Sequence, residues 1–125
     1  MIFDTDIIIW VQRGNEKAGK AINNADQRMI SVYTYMELLQ LAPSKKHHKI
    51  VKKALKQMGF EVLPITENIG HRAAVYVEEY TLSHHLQAGD AIIAATAVEN
   101  NLSLLSSNRK HFKCINDLDL KVFRV

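Results

Sequence analysis

Short apolar runs alternate along the chain with longer segments in which apolar residues recur every three or four positions. The short runs are typical of buried strands and the longer segments of helices, so their alternation predicts an α/β fold around a mainly parallel sheet. The runs predicted to form strands are MIF, MISV, FEVLPI, LSLLSS and LKVFRV. The segments predicted to form helices are IIIWVQ, KAGKAINNADQ, TYMELLQLA, SKKHHKIVKKALKQM, TENIGHRAAVYVEEYTLSHH and the stretch from about Asp90 to Glu99.

Two of the helical segments have a recognisable apolar side. In the first, the residues predicted to share a face are Ala18, Ala21, Ile22 and Ala25. In the second, they are Ile50, Val51, Ala54, Leu55 and Met58. Gly59 is expected just beyond the end of that second helix, and Thr66 is expected to cap the next one.

Length and cysteine content limit the class of protein. With 125 residues and no repeat or linker rich in Pro, Gly or Ser, the chain is expected to form one domain over residues 1–125. Cys114 is the only cysteine, so no intrachain disulfide can form and a reduced setting is expected. The sequence begins without a basic leader or cleavage site, and no apolar run approaches the ~20 residues that span a bilayer. A cytoplasmic protein without membrane association is therefore expected.

The charge is mildly basic. Sixteen Lys and Arg against thirteen Asp and Glu give a net charge of +3, which permits a nucleic-acid partner without requiring one. The segment SKKHHKIVKKALK carries six lysines, which form either a solvated helix face or a surface that follows the phosphates of RNA. Arg109 and Lys110 follow the LSLLSS run closely and are better candidates for contact with a substrate backbone.

Asp4 is the most anomalous polar residue, because it follows the apolar MIF run at the carboxyl end of a predicted buried strand. Asp is disfavoured in strands, and a buried carboxylate needs a partner. Asp6 is a good N-cap for the following helix, which leaves Asp4 without a structural role. Asp4 is therefore the first candidate for a functional acid.

Three further polar residues fit a local structural role as well as a functional one. Glu37 fits a capping box with Thr34 at a helix start. Asp90 fits an N-cap before an otherwise apolar helix, and Asn108 fits a turn after the LSLLSS strand. All three are nevertheless predicted near the carboxyl ends of strands, where ligands bind in open α/β sheets. One cleft could therefore gather them with Asp4.

Carboxylates gathered in one cleft predict a cation site. Like charges at short range force one group to take up a proton unless a cation compensates. Oxygen donors suit Mg²⁺ or Mn²⁺, held by few protein ligands and several waters. Such a site can polarise a phosphodiester and activate an attacking water.

Several pieces of the sequence together resemble a PIN domain, in particular the VapC-like toxins of prokaryotic toxin–antitoxin pairs, across essentially the whole chain. The matching pieces are FDTDIIIW, ISVYTYMELLQ and LQAGDAIIAATAVENNLSLLSSNRKHF, with a short distance from there to the last residue. The resemblance implies a three-layer α/β/α sandwich with a mainly parallel central sheet and a divalent-metal-dependent ribonuclease site. By position, it implies that Asp4, Glu37 and Asp90 bind Mg²⁺ or Mn²⁺, Glu37 directly or through a water. Asn108 stands where the family usually has a further acid, a departure that weakens metal affinity or leaves Asn108 to orient a water.

The resemblance also implies supporting residues and partners. Thr5 and Ser106 match small hydroxyl positions beside the acids, where they either bond a water, a phosphate or a carboxylate, or cap the backbone. Arg109 is expected to contact the substrate. The implied partners are an RNA substrate, a second copy of the chain in a homodimer, and a cognate antitoxin that inserts a segment, often with an Arg, into the acidic cleft.

Two other functions stay open at this point. An inactive PIN-like binding module is favoured by Asn108 and opposed by the presence of the three acids. A receiver-type signalling domain would carry a phospho-accepting Asp after the middle strand, but FEVLPI is not followed by one. Dinucleotide enzymes, P-loop NTPases and Ser hydrolases are excluded because their signatures are absent.

Overall fold

Five short strands pair in parallel to form one sheet. In the computed structural model, which describes residues 1–125, they are β1 (Ile2–Phe3), β2 (Met29–Ser31), β3 (Glu61–Leu63), β4 (Leu104–Ser106) and β5 (Leu120–Val122). Their order is β3-β2-β1-β4-β5, and every neighbouring pair is parallel. Each of the five runs predicted to form strands does so, over two or three residues.

The sheet has a reversal point at its centre. The strands that follow β1 are added on one side as β2 and β3, and then on its other side as β4 and β5. A reversal of this kind leaves a crevice beyond the carboxyl ends of the two strands that flank it, here β1 and β4. Asp4 comes directly after β1, and Asn108 follows β4 by two residues, so both lie at this crevice.

Seven helices connect the strands. They are α1 (Thr5–Gln12), α2 (Glu16–Asn23), α3 (Val32–Leu41), α4 (Lys45–Gln57), α5 (Glu67–His84), α6 (Ala88–Glu99) and α7 (Arg109–Phe112). Thr66 caps α5 by accepting a hydrogen bond from the backbone N–H of Ile69 at 3.2 Å, and Gly59 follows α4 with a φ of 74°, as predicted. None of the seven combines the length and the apolar character that crossing a bilayer requires.

Each face of the sheet packs against its own hydrophobic core. Ile2 and Leu104 lie in the core beneath α5 and α6, whereas Phe3 and Leu105 lie in the core beneath α1, α2, α3 and α4. Neighbouring residues divide in this way because successive side chains of a strand point to opposite faces. The predicted α/β/α sandwich with a parallel central sheet is confirmed.

The prediction that Asp6 caps the first helix is wrong. Asp4 is the N-cap of α1, and its Oδ1 accepts a hydrogen bond from the backbone N–H of Thr5 at 2.8 Å. Asp4 leaves β1 with the extended backbone that an N-cap requires, so the helix begins before Asp6. Asp6 lies in the first turn, where its Oδ2 accepts a hydrogen bond from the backbone N–H of Ser107 at 3.0 Å.

Two other helices also begin earlier than predicted. Ser31 caps α3, so Thr34 and Glu37 lie inside that helix and form no capping box. Gln87 is the N-cap residue of α6, which places Asp90 in the first turn instead of at the cap. Asp90 still complements the positive end of the helix dipole from there. Both acids are therefore free of the capping roles that competed with a functional one.

The apolar faces of α2 and α4 are narrower than predicted. Val51 and Leu55 are buried in α4, but Ile50 is 55% exposed. One residue along a helix turns the side chain by about 100°, which carries Ile50 away from the buried face. Ala25 lies beyond the end of α2.

Candidate active site

A cavity of about 670 Å³ opens at the carboxyl edge of the sheet, in the crevice between β1 and β4. Asp4, Glu37, Asp90 and Asn108 all line it. They come from four separate segments: the end of β1, the middle of α3, the first turn of α6 and the residue before α7. The structure therefore brings together the four residues that the sequence singled out.

Asp4 is held at the bottom of this cavity by neutral hydrogen-bond donors. Its side chain is buried, and its Oδ2 accepts a hydrogen bond from Ser106 Oγ at 2.6 Å, in addition to the Thr5 bond at Oδ1. Burial raises the pKa of Asp4 to about 7, with a further contribution from the negative charge of Asp6. The two hydrogen bonds oppose this rise without cancelling it. A positive charge in the cavity would restore the ionised form.

Thr5 connects Glu37 to the base of the site. Thr5 Oγ1 donates a hydrogen bond to Glu37 Oε1 at 2.6 Å and lies 3.0 Å from the buried hydroxyl of Thr34. One carboxylate oxygen of Glu37 is thereby fixed, while the side chain still borders the cavity. Thr5 was expected either to bond a water, a phosphate or a carboxylate, or to cap the backbone. Its hydroxyl bonds a carboxylate, that of Glu37.

Ser106 performs two of its expected roles at once. Its hydroxyl donates to Asp4 and accepts a hydrogen bond from the backbone N–H of Asn108 at 2.9 Å. The second contact fixes the chain where it leaves β4. Ser106 therefore ties the carboxylate of Asp4 to the segment that carries Asn108.

His111 also lines the cavity, although the sequence analysis did not single it out. Its Nδ1 lies 3.1 Å from Asp90 Oδ2 and 2.8 Å from the side-chain amide of Asn108. Since a carboxylate can only accept, the contact with Asp90 places a ring proton on Nδ1. The Asn108 atom that faces Nδ1 is Nδ2, so we assign the amide in the reversed orientation, in which its oxygen accepts from the same proton. The spacing of Asn108 and His111, three residues apart at a helix start, was the signal that could have identified this contact.

Asp6 is another polar residue of the cavity that the sequence analysis did not assign to the site. It lines the cavity beside Asp4, and its Oδ2 also accepts a hydrogen bond from the hydroxyl of Ser107. Its Oδ1 is buried without a hydrogen-bond partner. An unsatisfied buried oxygen of this kind costs about 1–3 kcal/mol unless a cation or a water satisfies it.

The donor set fits a hard divalent cation that keeps much of its own water. No group of three His, Cys, Asp or Glu side chains is arranged to hold an ion by direct contact alone. Mg²⁺ is characteristically bound through one or two carboxylates with waters at its other positions, and a cavity lined by carboxylates leaves room for such waters. The same carboxylates act on Tyr33, since burial and the charges of Glu37 and Asp90 raise the pKa of its hydroxyl.

Arg109 lies outside the cavity. It begins α7, next to Asn108, and its side chain is exposed. Its proposed contact with a substrate stays a prediction.

Comparison with known proteins identifies the family. A PIN-domain family model matches residues 1–117. The chain is 31% identical over 131 aligned residues to a ribonuclease VapC of Rickettsia bellii, with 96% of this chain and 93% of the relative covered. A solved toxin–antitoxin complex from Klebsiella pneumoniae is similar at 28% identity and a TM-score of 0.83, covering 99% of this chain and 98% of that one. A DNA-bound VapBC from Salmonella typhimurium shares the fold at 21% identity and a TM-score of 0.81, covering 97% and 96%. The chain therefore belongs to the PIN-domain family and, within it, to the family of the VapC ribonucleases.

Proposed function

We propose that this protein is a divalent-metal-dependent endoribonuclease that hydrolyses RNA phosphodiester bonds, and the toxin of a toxin–antitoxin pair. The observation that carries the proposal is the convergence of Asp4, Glu37 and Asp90 on one cavity at the reversal point of the sheet. The three acids come from elements far apart in sequence, and no Lys or Arg forms an ion pair with any of them. The charge that balances them is supplied from outside the chain.

In the proposed site, Asp4, Asp90 and Glu37 would hold Mg²⁺ or Mn²⁺, Glu37 directly or through a water, and Asn108 would be a weak or water-mediated ligand. When bound, the ion polarises the scissile phosphodiester and lowers the pKa of the attacking water. Asn108 has no negative charge, so it contributes less to the affinity for the ion than an acid at that position would.

The remaining residues of the site have positioning roles in this proposal. Thr5 fixes the carboxylate of Glu37, and Ser106 fixes that of Asp4. His111 contacts both Asp90 and Asn108 and would hold their side chains in position at the cavity. Since oriented outer-shell partners tune the affinity of the ligands they contact, loss of these bonds is expected to weaken metal binding before it affects the fold.

The proposed partners follow from the family. The related complex from Klebsiella pneumoniae pairs a toxin with an antitoxin, and we propose that a cognate antitoxin inserts a cationic segment into the acidic cavity of this protein. Such a segment would compete with the metal ion for the same carboxylates. We further propose that residues 1–125 act as one domain, that the toxin is a homodimer, and that it acts in the cytoplasm.

The test is cleavage of a mixed tRNA and rRNA pool by purified protein freed of antitoxin. The reaction is run with Mn²⁺ or Mg²⁺, with chelator, with Asp90→Asn and with Glu78→Gln, an exposed acid of α5 outside the cavity. Discrete fragments that disappear with chelator and with Asp90→Asn, but persist with Glu78→Gln, are expected. Circular dichroism of each variant confirms that it is folded.

The other outcomes separate the alternatives. Binding of Mn²⁺ by calorimetry without any cleavage would favour an inactive PIN-like binding module, the alternative that Asn108 suggests. Absence of both binding and cleavage in folded protein would refute the assignment of the acidic cavity as a metal site. A receiver domain is no longer an alternative, since the chain belongs to the PIN family.

A further inference from the structure

The exposed face of α4 carries a stripe of lysines on the side of the helix opposite to its buried face. All six lysines of the helix are exposed, whereas Val51 and Leu55 are buried. At about 100° per residue, the six lie within an arc of about 120° that excludes both buried residues. We call this set the lysine stripe: Lys45, Lys46, Lys49, Lys52, Lys53 and Lys56.

The lysine stripe concentrates the positive charge of the whole protein. The helix α4 contains no Asp or Glu, and none of its lysines forms an ion pair. The chain has sixteen Lys and Arg and thirteen Asp and Glu, so without these six lysines it would have ten against thirteen, a net charge of −3. An ordinary solvated helix face mixes both signs, because opposite charges three or four residues apart support the helix. The stripe departs from that pattern.

This arrangement is unfavourable for the isolated helix. Lysines recur four residues apart as Lys45 and Lys49, and again as Lys49 and Lys53, and like charges at this spacing repel. The first turn contains Lys45 and no acid, so positive charge also lies at the positive end of the helix dipole. Both effects would be relieved by a bound polyanion.

The stripe begins close to the proposed active site. Leu41, at the end of α3, lines the catalytic cavity, and α4 starts four residues later at Lys45. From there the helix runs for thirteen residues, about 20 Å at 1.5 Å per residue. A linear polyanion that enters the cavity could therefore continue along the stripe.

We propose that the lysine stripe binds the phosphate backbone of the RNA substrate outside the catalytic cavity; the choice of RNA rests on the proposed function. The ammonium group of lysine is a compact point charge that favours phosphate without demanding a fixed geometry. The exposed stripe offers no aromatic side chain on which a base could stack, so it supplies affinity without sequence specificity. Its repeated charges of one sign fit a chain of regularly spaced phosphates better than an acidic protein segment, whose charges are irregular.

The experiment measures binding of a fluorescent 20-nucleotide oligouridylate by anisotropy, in chelator, from 50 to 300 mM KCl. The stripe variant is Lys49→Gln with Lys53→Gln, and the control is Lys17→Gln with Lys20→Gln, two exposed lysines of α2 that lose the same charge. Each phosphate contact contributes about 0.7 to the slope of log affinity against log salt for a single strand, so the stripe variant should lose about 1.4 of the slope. With equal affinities at 1 M salt, this slope predicts that its affinity at 100 mM salt falls about 25-fold, while that of the control changes little.

RNA binding measured in chelator does not depend on catalysis. The experiment can therefore refute the lysine stripe as an RNA-binding surface without refuting the proposed ribonuclease activity, and the reverse. Equal affinity and slope for the stripe variant and the control would overturn the stripe proposal, even where the wild type cleaves RNA with Mn²⁺. Loss of RNA binding only in the stripe variant would support it, even where no cleavage is seen. A stripe variant that binds RNA normally but no longer binds polyglutamate would assign the surface to an acidic protein partner instead.

Discussion

Replacing Asp4 with Asn should stabilise the metal-free protein at neutral pH while abolishing its metal-dependent cleavage. The buried carboxylate has a pKa raised from its ordinary value of 3.8 to about 7, chiefly by burial and then by the charge of Asp6. An amide of the same shape carries no charge to desolvate. Its oxygen can still accept the hydrogen bond from the backbone N–H of Thr5 that caps α1.

The direction of the pH dependence follows from the raised pKa. Below pH 3.8 the carboxyl of Asp4 is protonated in both the native and the unfolded protein, and the contribution of this group to the free energy of unfolding is fully present. As the pH rises to about 7, the unfolded chain loses the proton while the native protein retains it, so stability falls across this interval. At about 1.36 kcal/mol per pH unit, the loss reaches about 4 kcal/mol above pH 7.

The assay is urea unfolding of wild type and Asp4→Asn in chelator at several values between pH 4 and pH 7.5. The free energy of unfolding of the variant minus that of the wild type should rise by up to about 4 kcal/mol across the range. Because only the change with pH is compared, any packing defect of the amide cancels. Asp26→Asn, the same substitution at an exposed position outside the acidic cavity, serves as the control.

The result that would refute this reasoning is a difference between variant and wild type that stays constant from pH 4 to pH 7.5. Adding Mn²⁺ gives an independent reading, since a ligand that binds only the native state raises its stability. Mn²⁺ should raise the stability of the wild type at pH 7.5 and leave Asp4→Asn unchanged. Equal stabilisation of the wild type and Asp4→Asn by Mn²⁺ would show that Asp4 is not a ligand of the proposed metal site.

Three further outcomes are expected. Gly89→Ala would put a Cβ 2.5 Å from Cζ of Tyr33, at the far end of a partly exposed side chain in the cavity wall. The Tyr33 ring should therefore move aside and the overpacking should cost about 1 kcal/mol or less; a larger fall in the free energy of unfolding in urea would show that the ring is held in place. Arg72 forms partly exposed ion pairs with Glu99 and Asp117. Arg72→Ala should therefore lower the free energy of unfolding by about 1 kcal/mol or less and leave cleavage intact. A loss of kcat would contradict a purely structural role for Arg72. His111→Asn, whose amide can still donate to Asp90, should retain a higher kcat and tighter Mn²⁺ binding than His111→Ala, whereas equal loss in both variants would refute the positioning role.

The fold was largely predictable from the sequence because its three central strands, β1, β2 and β4, are buried on both faces. Runs such as MISV and LSLLSS are short and combine apolar residues with small serines but no charged residue, which suits parallel strands covered by helices on both sides. The runs did not predict how few residues of each run form backbone pairs with a neighbouring strand. Only two or three residues of each run lie in the sheet. Pairing depends on where the neighbouring strand ends, which no single run contains.

The identity of the acids was predictable, but the way they are held was not. Asp4, Glu37 and Asp90 stood out because charged residues adjoin apolar elements. The partner of Asp4 is Ser106, 102 residues further along the chain, and a contact at that separation leaves no local signal. Each helix start offered more than one residue able to cap it, and tertiary packing determined which one does.

Asp4 also shows why the sequence analysis predicted the wrong cap for α1: it treated a structural role and a functional role as alternatives. The sequence reasoning assigned the cap to Asp6 so that Asp4 would be free for chemistry, but one carboxylate has two oxygens and can do both. Oδ1 of Asp4 caps α1, while Oδ2 is bound by the hydroxyl of Ser106. Both donors are neutral, so the charge of Asp4 is oriented without being cancelled. A Lys or Arg in the place of Ser106 would lower the pKa of Asp4 and stabilise the free protein, but it would also occupy the position that a divalent ion needs. Neutral donors around the acids therefore support the proposed metal site, because they hold the carboxylates in place and leave their charge for the ion.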